Sequence, residues 1–322
     1  KHHRLYRWTL LNYSTVVLEK ECHSLFFPGG SRSRSGAPEF VQGTLKTGLL
    51  STVLRAYIHT LQQKKAKPNL YIVPCVISYH VVLEAASVVD DYLNKTGVNR
   101  FMLEHDESST PKVMAKFVYN FLRGSSSAYI HFCTPLDPFG NSVDEDGISR
   151  NQAGREIDIS ENVKTNGEIA TFPQRDKEYI NSLSEKILER YKNENFLLTS
   201  HFTAYTYFEL LQKKLGKNIH LDILKLSPSL CDVPFEEFVE YAQPVLANLH
   251  QLQERGKIIL EPALRSSDLR NIVESAARHL AMYHTSHPLK LTAKDCTFLI
   301  QTEDLKLLYY YHNRAEGYGF VR

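Results

Sequence analysis

The sequence predicts an α/β fold in which a mostly parallel sheet flanked by helices is followed by a mainly helical C-terminal half. A strand–loop–helix–strand order runs from Ser24 to Ser78, and strands joined by such a crossover pair in parallel. A third apolar strand covers Ser127–Leu136. Beyond about residue 160 the apolar residues recur with helical spacing. We therefore divide the chain into residues 1–160 and residues 161–322.

Local apolar spacing defines the elements of the first half. Leu5–Cys22 has apolar residues at helical intervals, and Ser24–Phe27 is an apolar run that ends at Pro28 and two glycines. Such a run is typical of a buried strand that enters a loop. Leu49–Leu61 places its apolar residues on one helical face. Leu70–Ser78 is rich in β-branched residues and predicts a second buried strand.

Helices dominate the remaining elements, and the long segment Pro135–Arg155 is predicted as a loop. Short strands are predicted near Lys257–Leu260 and at Asp295–Gln301. The helical period predicts helices at His80–Leu93, Lys112–Leu122, Gln174–Lys192, Thr199–Gly216, Phe235–Arg255 and Ser266–Tyr283.

Composition excludes several classes of protein. Of the 322 residues 43% are apolar and 23% are charged, and the net charge is only +2, so no strong field favours nucleic acid. No run approaches the roughly 18 apolar residues of a membrane span. The five cysteines are odd in number and form no C-x-x-C pair, which argues against a disulfide framework. No zinc or calcium pattern is complete, so no metal is expected.

The stretch "SLFFPGGSRSRSG", Ser24 to Gly36, carries the chemistry that the sequence suggests. Glycines let backbone N–H groups approach an anion, and the guanidinium groups of Arg32 and Arg34 match phosphate oxygens. Hydroxyl groups of neighbouring serines add donors. The alternative is a basic turn on the surface, and composition alone leaves both interpretations open. The Walker pattern is absent, which disfavours a P-loop ATPase.

Several segments resemble the glycerolipid acyltransferases. "FFPGGSRSRSG" is similar to that family's third sequence block, close to Phe-x-Glu-Gly-x-Arg-Ser-Arg-x-Gly, and "IVPCVISYHVVLE" looks like its fourth block. "GTLKTGLLSTV" and "SAYIHFCTPL" resemble the segment between these blocks and a later strand. "LYRWTLLNY" and "LLYYYHNRAEGYGF" are similar to segments of the glycerol-3-phosphate acyltransferase branch.

The resemblance implies an acyltransferase-type sheet in residues 1–160 and transfer of a fatty acyl group to the sn-1 hydroxyl of glycerol 3-phosphate. The acyl donor would be acyl-CoA or acyl-carrier protein, with no cofactor. Carried over onto this chain, Arg32 and Arg34 would hold the substrate phosphate, and Gly30 and Ser31 would shape the loop. Three further residues would support the acyl site, or support the residues that contact the substrate directly, namely Pro74, Tyr79 and Lys46.

This chain departs from the family pattern at important positions. Gly29 stands where the third block has Glu, and His80 stands where an acidic residue is common. The family's general base is the His of a His-x-x-x-x-Asp motif, but none of the fourteen histidines has an acidic residue five positions on. We expect this motif to lie upstream of an N-terminally truncated chain, which would not catalyse transfer by itself.

Two further classes of function stay open. Within the enzymes, the acceptor could be 1-acylglycerol 3-phosphate or dihydroxyacetone phosphate. Outside them, the chain could be a non-catalytic phosphate- or lipid-binding relative. The insoluble acyl product and the resemblance imply the cytoplasmic face of a membrane, reached peripherally or through an anchor upstream of "KHHRLYRW", which lacks an initiator Met.

Overall fold

The computed structural model of the protein describes residues 3–30, 32–65, 68–96, 127–216, 220–284, 286–294 and 297–320. Ser31 and the predicted helix Lys112–Leu122 lie outside these residues. The chain forms two compact units that alternate along the sequence. The first unit contains Lys1–Arg32, Gly43–Cys75 and Phe132–Lys192, and the second contains Ser33–Gln42, Val76–His131 and Asn193–Arg322.

Helices and short strands together make the described part of the chain an α/β structure. The helices are α1 (Arg4–Glu19), α2 (Glu39–Gln42), α3 (Thr47–Gln62), α4 (Ala85–Lys95), α5 (Pro173–Asn193), α6 (Thr199–Leu215), α7 (His220–Ile223), α8 (Phe235–Glu254), α9 (Leu269–Leu280) and α10 (Leu305–Asn313). The strands are β1 (Cys75–Tyr79), β2 (Ala128–Phe132), β3 (Ser142–Val143), β4 (Ser149–Arg150), β5 (Lys164–Thr165), β6 (Glu168–Ile169), β7 (Phe196–Leu197), β8 (Val233–Pro234), β9 (Ile259–Leu260), β10 (Lys290–Lys294) and β11 (Thr297–Gln301).

The first unit is organised around α3. Leu54, Tyr57 and Ile58 point from this helix into a small core, in which Tyr57 meets Phe139 edge to face with ring centroids 5.9 Å apart. A neighbouring cluster joins Leu50 of α3 to apolar residues of α5. Helix α1 packs against the other side of α3. The apolar residues of α3 recur at helical intervals because the helix buries them in these two clusters, while α1 covers another side.

The second unit is organised around α6, whose first ten residues, Thr199 to Phe208, are all buried. Helices α8, α9 and α10 pack against it, and their buried residues form one apolar cluster with α4. Strands β10, β11 and β8 make a three-stranded antiparallel sheet. Strands β7 and β9 pair in parallel. In sequence, β7 precedes α6 and β9 follows α8. This unit holds the larger core.

The predicted strand at Ser24–Phe27 is wrong. The segment has no strand conformation, and Leu25 and Phe27 are 85% and 78% exposed. A strand needs a neighbour for its N–H and C=O groups, and among the described residues no segment pairs with this one. The parallel crossover predicted from it is therefore not formed.

The described sheets are small, and their registers are mixed. The pairs β3–β4, β5–β6, β8–β11 and β10–β11 are antiparallel, and β7–β9 is parallel. Tight turns join β3 to β4 and β5 to β6, and such turns require antiparallel pairing. The described strands therefore do not show a mostly parallel sheet.

The second and third predicted strands form, but shorter and less buried than expected. β1 begins at Cys75, immediately after Pro74, which cannot donate a ladder hydrogen bond. β2 covers five residues, and β1 and β2 pair with each other. Ile77 of β1 is exposed, so the prediction that this strand is buried is wrong, and Ile130 of β2 is exposed as well. The predicted loop Pro135–Arg155 contains the hairpin β3–β4.

The helical predictions outside the undescribed ranges are confirmed to within a few residues at most ends. The four described cysteines are free thiols. Among the described helices, none combines the length and the apolar character needed to cross a lipid bilayer.

Candidate phosphate-binding site

The glycine turn of the arginine loop is held against the start of α3. The Gly30 N–H donates to the Phe27 carbonyl oxygen at 3.2 Å, and the Lys46 N–H donates to the Pro28 carbonyl oxygen at 2.8 Å. Gly30 has φ +70°, and a methyl group on its Cα would lie 2.7 Å from Lys46 Cγ. The aliphatic part of Lys46 therefore covers Gly30 and carries its ammonium group to this turn.

The two arginines have different surroundings. Arg32 is exposed. Arg34 is partly buried, and its Nε lies 3.4 Å from Oδ2 of Asp91 on α4. This is an ion-pair contact without hydrogen-bond geometry, since Arg34 Nε is a buried donor with no hydrogen-bond partner among the described residues. Sequence analysis missed Asp91, because nothing in the sequence links α4 to this loop.

Internal hydrogen bonds shape the second half of the loop. Ser33 Oγ donates to the Ala37 carbonyl oxygen at 2.6 Å, and the Ala37 N–H donates to Ser35 Oγ at 3.2 Å. Such serine turns give a short segment a defined path without a strand or helix. The Ser33 hydroxyl is thus committed as a donor within the loop, whereas Ser35 takes part as an acceptor.

The C-terminal segment anchors the same half of the loop. Asn313 Nδ2 donates to the Ser35 carbonyl oxygen at 2.8 Å. Gly36 has φ +88°, and a Cβ atom there would overlap the carbonyl oxygen of Tyr310. Only glycine can therefore occupy this position without a shift of the backbone. The contact joins two segments that lie 278 residues apart in sequence.

A second contact extends the anchor. Gly317 has φ +93°, and a methyl group on it would meet Phe40 and Val41 at under 3 Å. Phe40 also packs edge to face on Tyr318, with ring centroids 5.5 Å apart. The segment that follows the arginine loop is thus held along its length by the end of the chain.

The remaining predicted residues lie on or beside β1. Pro74 is buried, and its carbonyl oxygen accepts a hydrogen bond from the Cys133 N–H at 2.8 Å. Tyr79 ends β1 and is 38% exposed. These contacts are those of a structural support, and the proposed relation of both residues to an acyl site stays a prediction.

His80, which follows β1, is the centre of a buried polar network that the sequence did not predict. Its Nε2 lies 3.2 Å from Oε1 of Glu261, and its Nδ1 lies 3.2 Å from Oγ of Ser200. Its ring stacks on His279 at 3.7 Å between centroids. Ser, His and carboxylate groups in line can activate a nucleophile, but Ser200 and His80 are buried. In this arrangement the network ties β1 to α6 and α9.

Burial and hydrogen bonds shift the pKa values of the ionisable groups in this network. Glu261 also accepts a hydrogen bond from the Thr199 N–H at 2.7 Å. Burial alone would raise the pKa of Glu261, but hydrogen bonds from His80 and Thr199 lower it overall. Burial, with the neighbouring His80, lowers the pKa of His279 to about 4. Burial, with Arg314 and His80, lowers the pKa of His201 well below its usual value.

A groove of about 490 Å³ opens between α3 and α5 in the first unit. Its lining includes two cations, Arg55 and Lys177, which have no carboxylate partner among the described residues. The lining carboxylate Asp176 is paired with Arg175 at 2.9 Å. These groups suit an anion better than a metal ion, for which several oxygen ligands would be needed.

No family model, curated protein or solved structure matches this chain. The roles of the loop residues therefore depend on the local geometry and on the resemblance of short segments.

Proposed function

We propose that the protein is a glycerol-3-phosphate acyltransferase, and that Arg32 and Arg34 bind the phosphate of its acceptor. One observation carries the proposal, namely the hydrogen bond from Asn313 to Ser35. It joins the arginine loop to the segment Leu307–Phe320, and each of these segments separately resembles the same acyltransferase branch. Their contact supports a common origin for both resemblances. An acyltransferase-type, mostly parallel sheet is part of this proposal.

The chemistry assigned to this chain is recognition of the acceptor. A phosphate dianion accepts paired hydrogen bonds from guanidinium groups, and each charge-assisted bond contributes about 1.5–3 kcal/mol.

In the proposed reaction the sn-1 hydroxyl oxygen attacks the thioester carbon of acyl-CoA or acyl-carrier protein. The C–S bond breaks, the hydroxyl proton passes to a histidine base, and that base gives the proton to the leaving thiolate, which departs as the thiol. The product is lysophosphatidic acid, a precursor of phospholipids. The sequence has no His-x-x-x-x-Asp motif, so we assign no residue of this chain as the base.

Calorimetric titration of the 322-residue chain with glycerol 3-phosphate tests the proposal. Arg32→Ala and Arg34→Ala should each weaken binding by about tenfold or more. Arg155→Ala is the matched control, because Arg155 is an exposed arginine outside the loop. Glycerol should bind to none of these proteins.

Unchanged affinity in both loop variants would refute the phosphate role. Dihydroxyacetone phosphate and lysophosphatidic acid, titrated in parallel, compare the alternative acceptors, and tighter binding of either would replace glycerol 3-phosphate as the acceptor.

A further inference from the structure

The groove between α3 and α5 is built from one side of each helix. Thr47, Ser51 and Arg55 line it at intervals of four residues along α3, and Pro173 and Lys177 do so along α5. Residues four apart lie on the same side of a helix, so the groove follows both helices within the first unit. Its volume of about 490 Å³ is within the range of pockets that hold small molecules, about 300–1,000 Å³.

Two positively charged side chains reach this groove. Arg55 is partly buried, and its guanidinium group contacts a neutral partner, Oδ1 of Asn12, at 3.5 Å. Lys177 is exposed and belongs to the first half of α5. In the described part of the chain no ion pair joins either cation to a carboxylate. The groove therefore has two cations whose charge is available to an anion.

The carboxylates at this groove are committed to other groups. Asp176 is part of the lining, but its Oδ1 accepts a hydrogen bond from Arg175 Nη2 at 2.9 Å and its Oδ2 accepts one from the Phe172 N–H at 3.0 Å. His59, also in the lining, contacts Oε1 of Glu19 at 2.6 Å. The field of the two cations is thus not cancelled by a free carboxylate, and the low-dielectric walls of a cleft strengthen such a field.

Apolar side chains complete the lining. Leu54 directly precedes Arg55, and Ile180 follows Lys177 by three residues on the same side of α5. Pro173 adds a third apolar group. Sites for small organic molecules combine apolar walls with a few polar groups that fix the orientation of the ligand. The lining is therefore complementary to an anion that carries an apolar group.

We infer that this groove binds a small organic phosphate, whose phosphate group is held by Arg55 and Lys177 and whose apolar part lies against Leu54 and Ile180. A phosphate ester carries close to two negative charges at neutral pH, which matches the two cations. Guanidinium offers paired donors to its oxygens, and ammonium offers a compact charge. The inference goes beyond the proposed function, because none of the described lining residues belongs to the loop Ser24–Gly36.

Phenyl phosphate is the probe that tests the inference. The 322-residue chain is used with Arg32→Ala and Arg34→Ala together, so that the arginine loop does not contribute to binding; we call this protein the loop variant. Phosphorus NMR of the ligand measures the affinity. Phenyl phosphate should bind, inorganic phosphate should bind about fivefold more weakly or less because it lacks the apolar part, and phenol should not displace phenyl phosphate.

Substitutions of the two cations locate the site. In the loop variant, Lys177→Ala and Arg55→Gln should each weaken the binding of phenyl phosphate by about fivefold to tenfold, because each removes a charge-assisted hydrogen bond. Glutamine keeps a donor for Asn12. Arg155→Gln is the matched control, since Arg155 is an exposed arginine of the same unit outside the lining, and it should leave the affinity unchanged. Circular dichroism verifies folding, and the exposed Lys177 keeps the test decisive if Arg55→Gln unfolds the chain.

Three results would overturn the inference. One is the absence of phenyl phosphate binding to the loop variant, and another is equal affinity in Lys177→Ala and Arg155→Gln. The third is equal affinity for inorganic phosphate and phenyl phosphate, because the apolar lining would then contribute nothing. The loop arginines are missing from every protein in this experiment, so its failure leaves the proposed function standing. Failure of the glycerol 3-phosphate titration likewise leaves the groove inference standing.

Discussion

Acid should destabilise the second unit through its buried histidines. His201 and His279 lie beside His80, and Glu261 is the carboxylate that His80 contacts. Burial lowers the pKa of His279 to about 4 and that of His201 well below its usual value. In the unfolded chain both histidines titrate near pH 6.5. Between pH 6.5 and the lower pKa values of the folded histidines, the unfolded state binds protons that the folded state does not.

The direction and size of the effect follow from proton linkage. Where the unfolded state binds more protons, the free energy of unfolding falls as pH falls, by about 1.4 kcal/mol per pH unit for each proton. For His279 the contribution is fully present above pH 6.5 and is lost as pH falls toward its folded pKa of about 4. At pH 5 the loss is about 1–2 kcal/mol, reduced because this ring keeps some contact with solvent.

Urea unfolding at pH 7, 6 and 5, followed by circular dichroism, measures this slope. His279→Gln removes the titrating group, so the variant should lose about 1–2 kcal/mol less than the unmodified chain between pH 7 and pH 5. His23→Gln, at an exposed histidine after α1, is the control and should keep the full slope. Carboxylates whose pKa is lowered, such as Asp144, lose their contribution only at lower pH. Equal slopes in His279→Gln and the unmodified chain would refute the reasoning.

Asp91→Asn should tighten binding of glycerol 3-phosphate up to about fivefold, because the carboxylate that competes for Arg34 is removed and such partly exposed pairs contribute up to ~1 kcal/mol. Asp90→Asn is the control in the same titration, since Asp90 pairs elsewhere; an equal change in both variants would contradict the competition. Gly36→Ala should lower the free energy of unfolding by about 2 kcal/mol or more, from positive φ and overlap with a backbone oxygen. Gly43→Ala isolates the φ contribution, because Gly43 has φ +70° and no atom nearby, and denaturant unfolding should give it the smaller loss. The 322-residue chain, incubated with acyl-CoA and glycerol 3-phosphate, should form no lysophosphatidic acid by mass spectrometry, and formation at a rate normal for an enzyme would show that a base lies within it.

Elements that depend on neighbouring residues could be predicted from the sequence, whereas elements that need a distant partner could not. Helix α3 was predicted within two residues at its start and one at its end, because its apolar residues recur at intervals set by the helix itself. Ser24–Phe27 has an equally apolar sequence but forms no strand. A strand requires a partner elsewhere in the chain, and four apolar residues contain no information about that partner.

The candidate site shows the same division. Arg32, Arg34 and the two glycines could be read from one short motif, because the donors of an anion site lie close together in sequence. Asp91 could not, since it comes from a helix whose sequence gives no sign of the loop. His80, Ser200 and Glu261 are likewise separated by long stretches and share no motif.

The sequence by itself determined the helices, the chemistry of the arginine loop and the absence of a His-x-x-x-x-Asp motif, because each depends on neighbouring residues alone. Only the tertiary structure decided that Asn313 holds the loop at Ser35 and that Asp91 lies against Arg34. These are properties of surfaces that meet after the chain has folded. Their energy depends on which distant residues exclude water from one another, and no local pattern specifies that choice.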